Sequence, residues 1–175
     1  MDTTQSFGIS AGAKTQSISG SMMFPTTLNQ VGTIANNNYV IFHIAGSGDN
    51  VSSLTGVTVN DALSGGFIAK GGEVMEYFCL DYGVSTSASK DVELYCIISS
   101  KATYEGALSV NYTPTLIKTG LTTSSVAGRF TFASDSIPSI TLNEGDLVNF
   151  AIKNVSGGSF LGLHSLLTIY FNSTL

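Results

Sequence analysis

Apolar residues in this chain return at every second position, in short runs broken by turns. Nowhere does a helical stripe with a period of about 3.6 residues persist. Val40, Phe42 and Ile44 alternate with Tyr39, Ile41 and His43, and Val92, Leu94, Cys96 and Ile98 alternate with Asp91, Glu93, Tyr95 and Ile97. The same alternation recurs at Leu108, Val110 and Tyr112, at Phe130 and Phe132, at Val148, Phe150 and Ile152, and at Leu167, Ile169 and Phe171. Between these runs stand breaks rich in Gly, Ser, Asn and Asp, at residues 46–50, 83–90, 120–125, 143–146 and 156–159. Side chains of a strand point alternately to its two faces, so this period marks strands with one face buried. Many short antiparallel strands without a helical stripe predict an all-β sandwich or barrel, with no helix.

The preceding segment is different. Residues 1–37 are polar and rich in Gly and Ser, with Phe7, Ile9, Ile18, Met22, Met23 and Phe24 as scattered apolar anchors. They read as an N-terminal attachment arm, leaving residues 38–175 as the sandwich domain.

Composition limits the function. Hydrophobic residues make up 43% of the 175 and charged residues 11%, against a usual charged share of about 25%. A surface so poor in charge fits a chain that hides part of itself against other copies. The net charge is −5, and the seven Lys and Arg residues are spread singly. Clustered cations, which binding to phosphates requires, are missing, so nucleic acid is excluded as a partner. No apolar run approaches the roughly 18 residues of a membrane-spanning helix. Met1 to Ser6 is polar, with no basic region leading into an apolar one. A secretory signal is not read there, and the expectation is synthesis in a cytoplasm, or a leader removed ahead of Met1. The sequons at Asn50, Asn111, Asn154 and Asn172 then carry no meaning as glycosylation sites.

Catalytic and metal signatures are not found. The two histidines, His43 and His164, lack a nucleophile elbow or a distinctive acidic partner. His43 falls opposite Val40, Phe42 and Ile44 and is expected at the surface or an interface. No His-x-x-x-His, Cys-x-x-Cys or acidic calcium loop occurs, so no metal and no cofactor are expected. Cys79 and Cys96 sit symmetrically about the loop at residues 84–90, which leaves a cross-strand disulfide geometrically open. Two reduced thiols are favoured, because Cys96 shares a core stripe with Leu94 and Ile98.

The C-terminal third carries a resemblance. Ile140 to Phe150 forms a strand, a Gly-Asp turn and a second strand, and the apolar strand Leu166 to Phe171 follows almost at the end. That order resembles the close of tumour-necrosis-factor-like and complement-head-like jelly rolls. It is also similar to the C-terminal domains of bacterial exosporium collagen-like proteins and to viral fibre or decoration proteins. Gly66 to Tyr77 resembles the strand, glycine and strand unit of those domains. The resemblance covers residues 38–175 and implies an antiparallel β-sandwich of the ten-strand-class jelly-roll kind that packs as a trimer around aromatic and aliphatic side chains, without catalysis. No Gly-X-Y stalk precedes the domain, which favours a free-standing subunit held by its arm.

These readings converge on a virion structural protein that is not an enzyme: a capsid decoration, fibre-head or minor capsid subunit assembling as a homotrimer. Leu167, Ile169, Tyr170 and Phe171 are the candidates for the oligomer interface, with Leu167, Ile169 or Phe171 facing the core and Tyr170 near the subunit boundary. Other structural proteins of the particle are the expected partners of the arm. The alternative is a spore or cell-surface structural protein, or a glycan- or receptor-binding module using loop tyrosines such as Tyr39, Tyr82 or Tyr104.

Overall fold

A computed structural model of the chain describes residues 21–43, 49–58, 65–84, 90–122, 129–134 and 138–173. Its strands are β1 (Ser21–Ile34), β2 (Tyr39–Ile41), β3 (Asp49–Val51), β4 (Val57–Thr58), β5 (Phe67–Ile68) and β6 (Glu73–Val84). There follow β7 (Asp91–Ser99), β8 (Ser109–Val110), β9 (Thr113–Thr122), β10 (Arg129–Ser134), β11 (Leu147–Asn154) and β12 (Phe160–Ser173). The first sheet has the order β1-β12-β6-β10, and the second β3-β2-β11-β7-β9, with β5 also pairing β11. Strands β4 and β8 form a separate two-stranded ribbon.

Eight principal strands remain when the short β3, β4, β5 and β8 are set aside. They pair in nested fashion: β1 with β12, β2 with β11, β6 with β10 and β7 with β9, all antiparallel. Successive pairs fall alternately in the first and second sheets, as if one long hairpin had been rolled up on itself. This is a jelly roll.

Alternation places the core between the sheets. On β12, Leu167, Ile169 and Phe171 point inward and are buried, while Thr168 and Tyr170 stay half-buried. They meet Val148, Phe150 and Ile152 of β11, Leu94 and Cys96 of β7, and Phe78 and Leu80 of β6 in one apolar cluster.

The second sheet departs from the expected half-burial. Residues 147–152 of β11 are all buried, on both faces. A second cluster covers the outer face, formed by Ile41, Ile97, Leu147 and Ala151 beneath Leu54, Val57, Val110 and Tyr112 of the ribbon region. The ribbon is tied down by Tyr112 N donating to Leu54 O at 2.9 Å and Gly56 N donating to Asn111 Oδ1 at 2.9 Å. His43, expected at the surface or an interface, is buried within the chain at 8% exposure for the same reason, since β2 is covered on both sides. The segment at Gly65 presses so close that a Cβ there would stand 1.7 Å from Phe42 O.

Two further expectations are corrected. The described residues include a helical turn, α1 (Lys101–Tyr104), closed by Glu105 N donating to Lys101 O at 3.0 Å. Four residues are too few to show a helical period, so the sequence could not display it. Residues 21–34 are not arm: they form β1 and pair along β12 from Ser21 opposite Asn172 to Ile34 opposite Phe160. Met22, Met23 and Phe24 therefore lie in a sheet strand, whereas Phe7, Ile9 and Ile18 lie outside the described residues.

Candidate functional site

The two sheets differ in what covers them. The outer face of the second sheet is roofed by the ribbon, but no described element covers the outer face of the first. Along β12 that face presents Leu161 and Leu166, at 50% and 44% exposure, with half-buried Thr168 and Tyr170. In register, Leu166 lies opposite Asp81 of β6, Thr168 opposite Cys79 and Tyr170 opposite Tyr77. On the other side of β12 stand Thr27, Pro25 and Met23 of β1. Cys79 alternates with buried Phe78 and Leu80, which puts it on this outer face. Of the four interface residues expected from the sequence, only Tyr170 belongs to the outer face. Leu167, Ile169 and Phe171 are buried in the core between the sheets, because adjacent strand positions point to opposite faces.

The cysteines are free and lie in different sheets, Cys79 on β6 and Cys96 on β7. Burial pushes the Cys96 thiol well above its ordinary 9.0 and leaves it inert. The histidines are likewise separated, His43 just past β2 and His164 within β12. Among the described residues no group of three or more His, Cys, Asp or Glu side chains is placed to hold a metal ion.

The acidic residues that the sequence leaves without a role shape turns. Glu73, 4% exposed, accepts hydrogen bonds from Lys70 N and Gly71 N, both at 2.7 Å. Asp146 Oδ2 accepts from Asn143 N at 2.9 Å and from Asn143 Nδ2 at 3.2 Å. The Asn154 sequon is equally structural. Its buried amide donates to Ile34 O at 3.1 Å and Gly158 O at 2.8 Å, fastening β1, β11 and the loop before β12. A side chain so enclosed cannot carry a glycan in the folded protein.

On the second sheet, Tyr39, Lys153 and Glu93 occupy one cross-strand row. Tyr39 and Tyr95 meet edge to face at 5.6 Å, Lys153 Nζ stands 5.2 Å above the Tyr39 ring, and Tyr95 donates to Glu93 Oε2 at 2.6 Å. Desolvation and then the Glu93 carboxylate raise the Tyr95 phenol above its ordinary 10.0. Burial raises Tyr112 above the same value, partly countered by its hydrogen bond with Asn149.

These shifts give alkaline instability a sign. Groups whose folded pKa exceeds the unfolded one contribute their stability below the unfolded value and lose it as pH rises toward the folded value. Stability should therefore hold up to about pH 9 and then decline, first through Cys96 and from about pH 10 through Tyr95 and Tyr112. Urea denaturation across this range checks it, and Cys96→Ala should move the onset from about pH 9 to about pH 10. An onset unmoved by that substitution contradicts the assignment.

No family model and no curated protein matches this chain. Solved structures of similar outline include the globular domain of zebrafish complement 1qA protein, at 17% identity and TM-score 0.42, covering 84% of this chain and 94% of that one. The vertex protein P5 of PRD1 aligns at 13% identity and TM-score 0.36, over 86% of this chain and 96% of that one. The capsid asymmetric unit of cyanophage Pam1 aligns at 10% identity and TM-score 0.30, over 99% and 98%. The likeness extends to the fold and transfers no activity or partner; the jelly-roll assignment rests on the strand pairing itself.

Proposed function

We propose that this chain is a non-enzymatic structural subunit of a virion, a capsid decoration, fibre-head or minor capsid protein, that assembles as a homotrimer through the outer face of its first sheet. The observation that carries the reading is the unequal cover of the two sheets. One outer face is covered by the ribbon, while on the other no described element covers Leu161 and Leu166, which are exposed beside half-buried Tyr170. The small share of charged residues, 11%, points the same way. So does the resemblance of residues 38–175 to jelly rolls that pack as trimers. Residues 1–20 are left as the attachment element toward other proteins of the particle, and host-cytoplasmic synthesis fits that role.

Sedimentation equilibrium at micromolar concentration should return the mass of three subunits. Leu166→Asp combined with Tyr170→Asp should yield a monomer with unchanged β-sheet circular dichroism, because both positions lie outside the core. Burying two unpaired carboxylates at a contact costs several kcal/mol, enough to lower association by at least about a thousandfold. A wild-type monomer, or a variant that still forms trimers, sinks the proposal.

A further inference from the structure

The seven basic residues of this acidic chain are scattered in sequence, yet two of them, Lys70 and Lys101, line one cleft. The cleft is shallow and open to solvent, with a volume of about 410 Å³, and Ile68, Ala69, Tyr104, Glu144 and Gly145 complete its lining. Three distant segments build it: β5 with the turn that follows, α1, and the turn before β11.

These segments are cross-tied before any ligand arrives. Gly145 N donates to Ala69 O at 2.9 Å, and Ala69 N donates to Asp146 O at 2.8 Å. The Tyr104 hydroxyl donates to Gly145 O at 2.7 Å, which fixes α1 against the turn. The buried Glu73 carboxylate holds the backbone N–H groups of Lys70 and Gly71. Gly145 has φ of 81°, and a Cβ there would meet Lys101 Cδ at 2.8 Å. The stem of Lys101 thus lies across bare glycine backbone, where only glycine leaves it room.

We propose that this cleft binds a carboxylate-bearing monosaccharide, a hexuronic or sialic acid. Its volume falls within the range of about 300–1,000 Å³ usual for small-ligand sites. Two ammonium groups attract one carboxylate, while Glu144 opposes a ligand of higher negative charge and accepts hydrogen bonds from hydroxyls. Half-exposed Ile68 and the half-buried ring of Tyr104 offer apolar surface to the C–H face of a pyranose. An inorganic anion would leave that apolar surface unused, and a neutral sugar would leave both lysines unpaired. The inference is independent of the assembly reading, since Lys70 and Lys101 lie outside the first sheet.

Amide NMR at low ionic strength provides the test, with methyl glucuronide and the methyl glycoside of N-acetylneuraminic acid as probes. At least one of the two should shift the Ala69, Lys101, Tyr104 and Gly145 resonances saturably. Methyl glucoside and acetate should bind at least about tenfold more weakly. Lys70→Gln combined with Lys101→Gln removes both charges at exposed positions and should weaken the acid sugar by at least about tenfold. Saturable binding by neither acid sugar overturns the proposal. So do neutral sugar or acetate binding equally well, a glutamate-rich peptide binding more tightly than either sugar, or an affinity untouched by the double substitution.

Discussion

Deletion of residues 1–34 is expected to leave a chain that no longer folds, whereas deletion of residues 1–20 should keep the sandwich intact. β1 pairs with β12 through twelve register positions, and its last residue, Ile34, is fully buried in the main core. Removing it bares one edge of β12, strips Asn154 Nδ2 of one of its two acceptors, Ile34 O, and strips Asn50 Nδ2 of Thr33 O. Each lost backbone hydrogen bond costs about 1 kcal/mol net, so the ladder alone weighs on the order of 10 kcal/mol. That is comparable with the whole stability of a domain, about 5–15 kcal/mol. Circular dichroism and thermal melting decide the matter. A cooperative melt by the shorter chain, within a few degrees of wild type, would show that β1 is dispensable.

The largest single-residue effect should come from Phe150→Ala. Phe150 is fully buried on β11, with Cys96 of β7 opposite it in register, and its side chain faces the main cluster. β11 is paired on both sides by β2 and β7, so the backbone around Phe150 has little freedom to close a cavity. Truncation of a buried phenylalanine costs about 3–5 kcal/mol. At about 2–4 °C per kcal/mol for a domain of this length, the melting temperature should fall by roughly 10 °C or more. Phe150→Leu keeps most of the volume and should cost less than about 2 kcal/mol. Equal losses from the two substitutions would place Phe150 outside a tightly packed core.

How far these features were legible depends on what each element draws its order from. The alternation in β7, β11 and β12 is written in side chains, because a face packed on the core must be apolar at every second position. β1 carries no such pattern, with Pro25, Asn29, Gln30 and Gly32 within it. An edge strand takes its order from backbone pairing with its neighbour, which any side chain permits. Residues 21–34 consequently resemble an arm until β12 is beside them. The double burial of the second sheet did leave a trace, in the unbroken apolar runs Val40-Ile41-Phe42 and Cys96-Ile97-Ile98. Continuous runs of that kind signal cover on both faces. Reading them as half-buried alternation put His43 at the surface or an interface.

The cleft shows the opposite limit. Lys70, Lys101, Tyr104 and Gly145 are unremarkable one by one, and no spacing connects them. They converge because the chain pairs β5 with β11 and sets α1 at the end of β7. By itself the sequence determined the fold class, the scarcity of helix and which strand faces are apolar, since all of these follow from local period and composition. Only the tertiary structure decided which apolar residues are buried in the core and which stay exposed. Adjacent positions on β12 are chemically alike, and what separates Ile169 from Tyr170 is the presence of a second sheet on one side and none on the other.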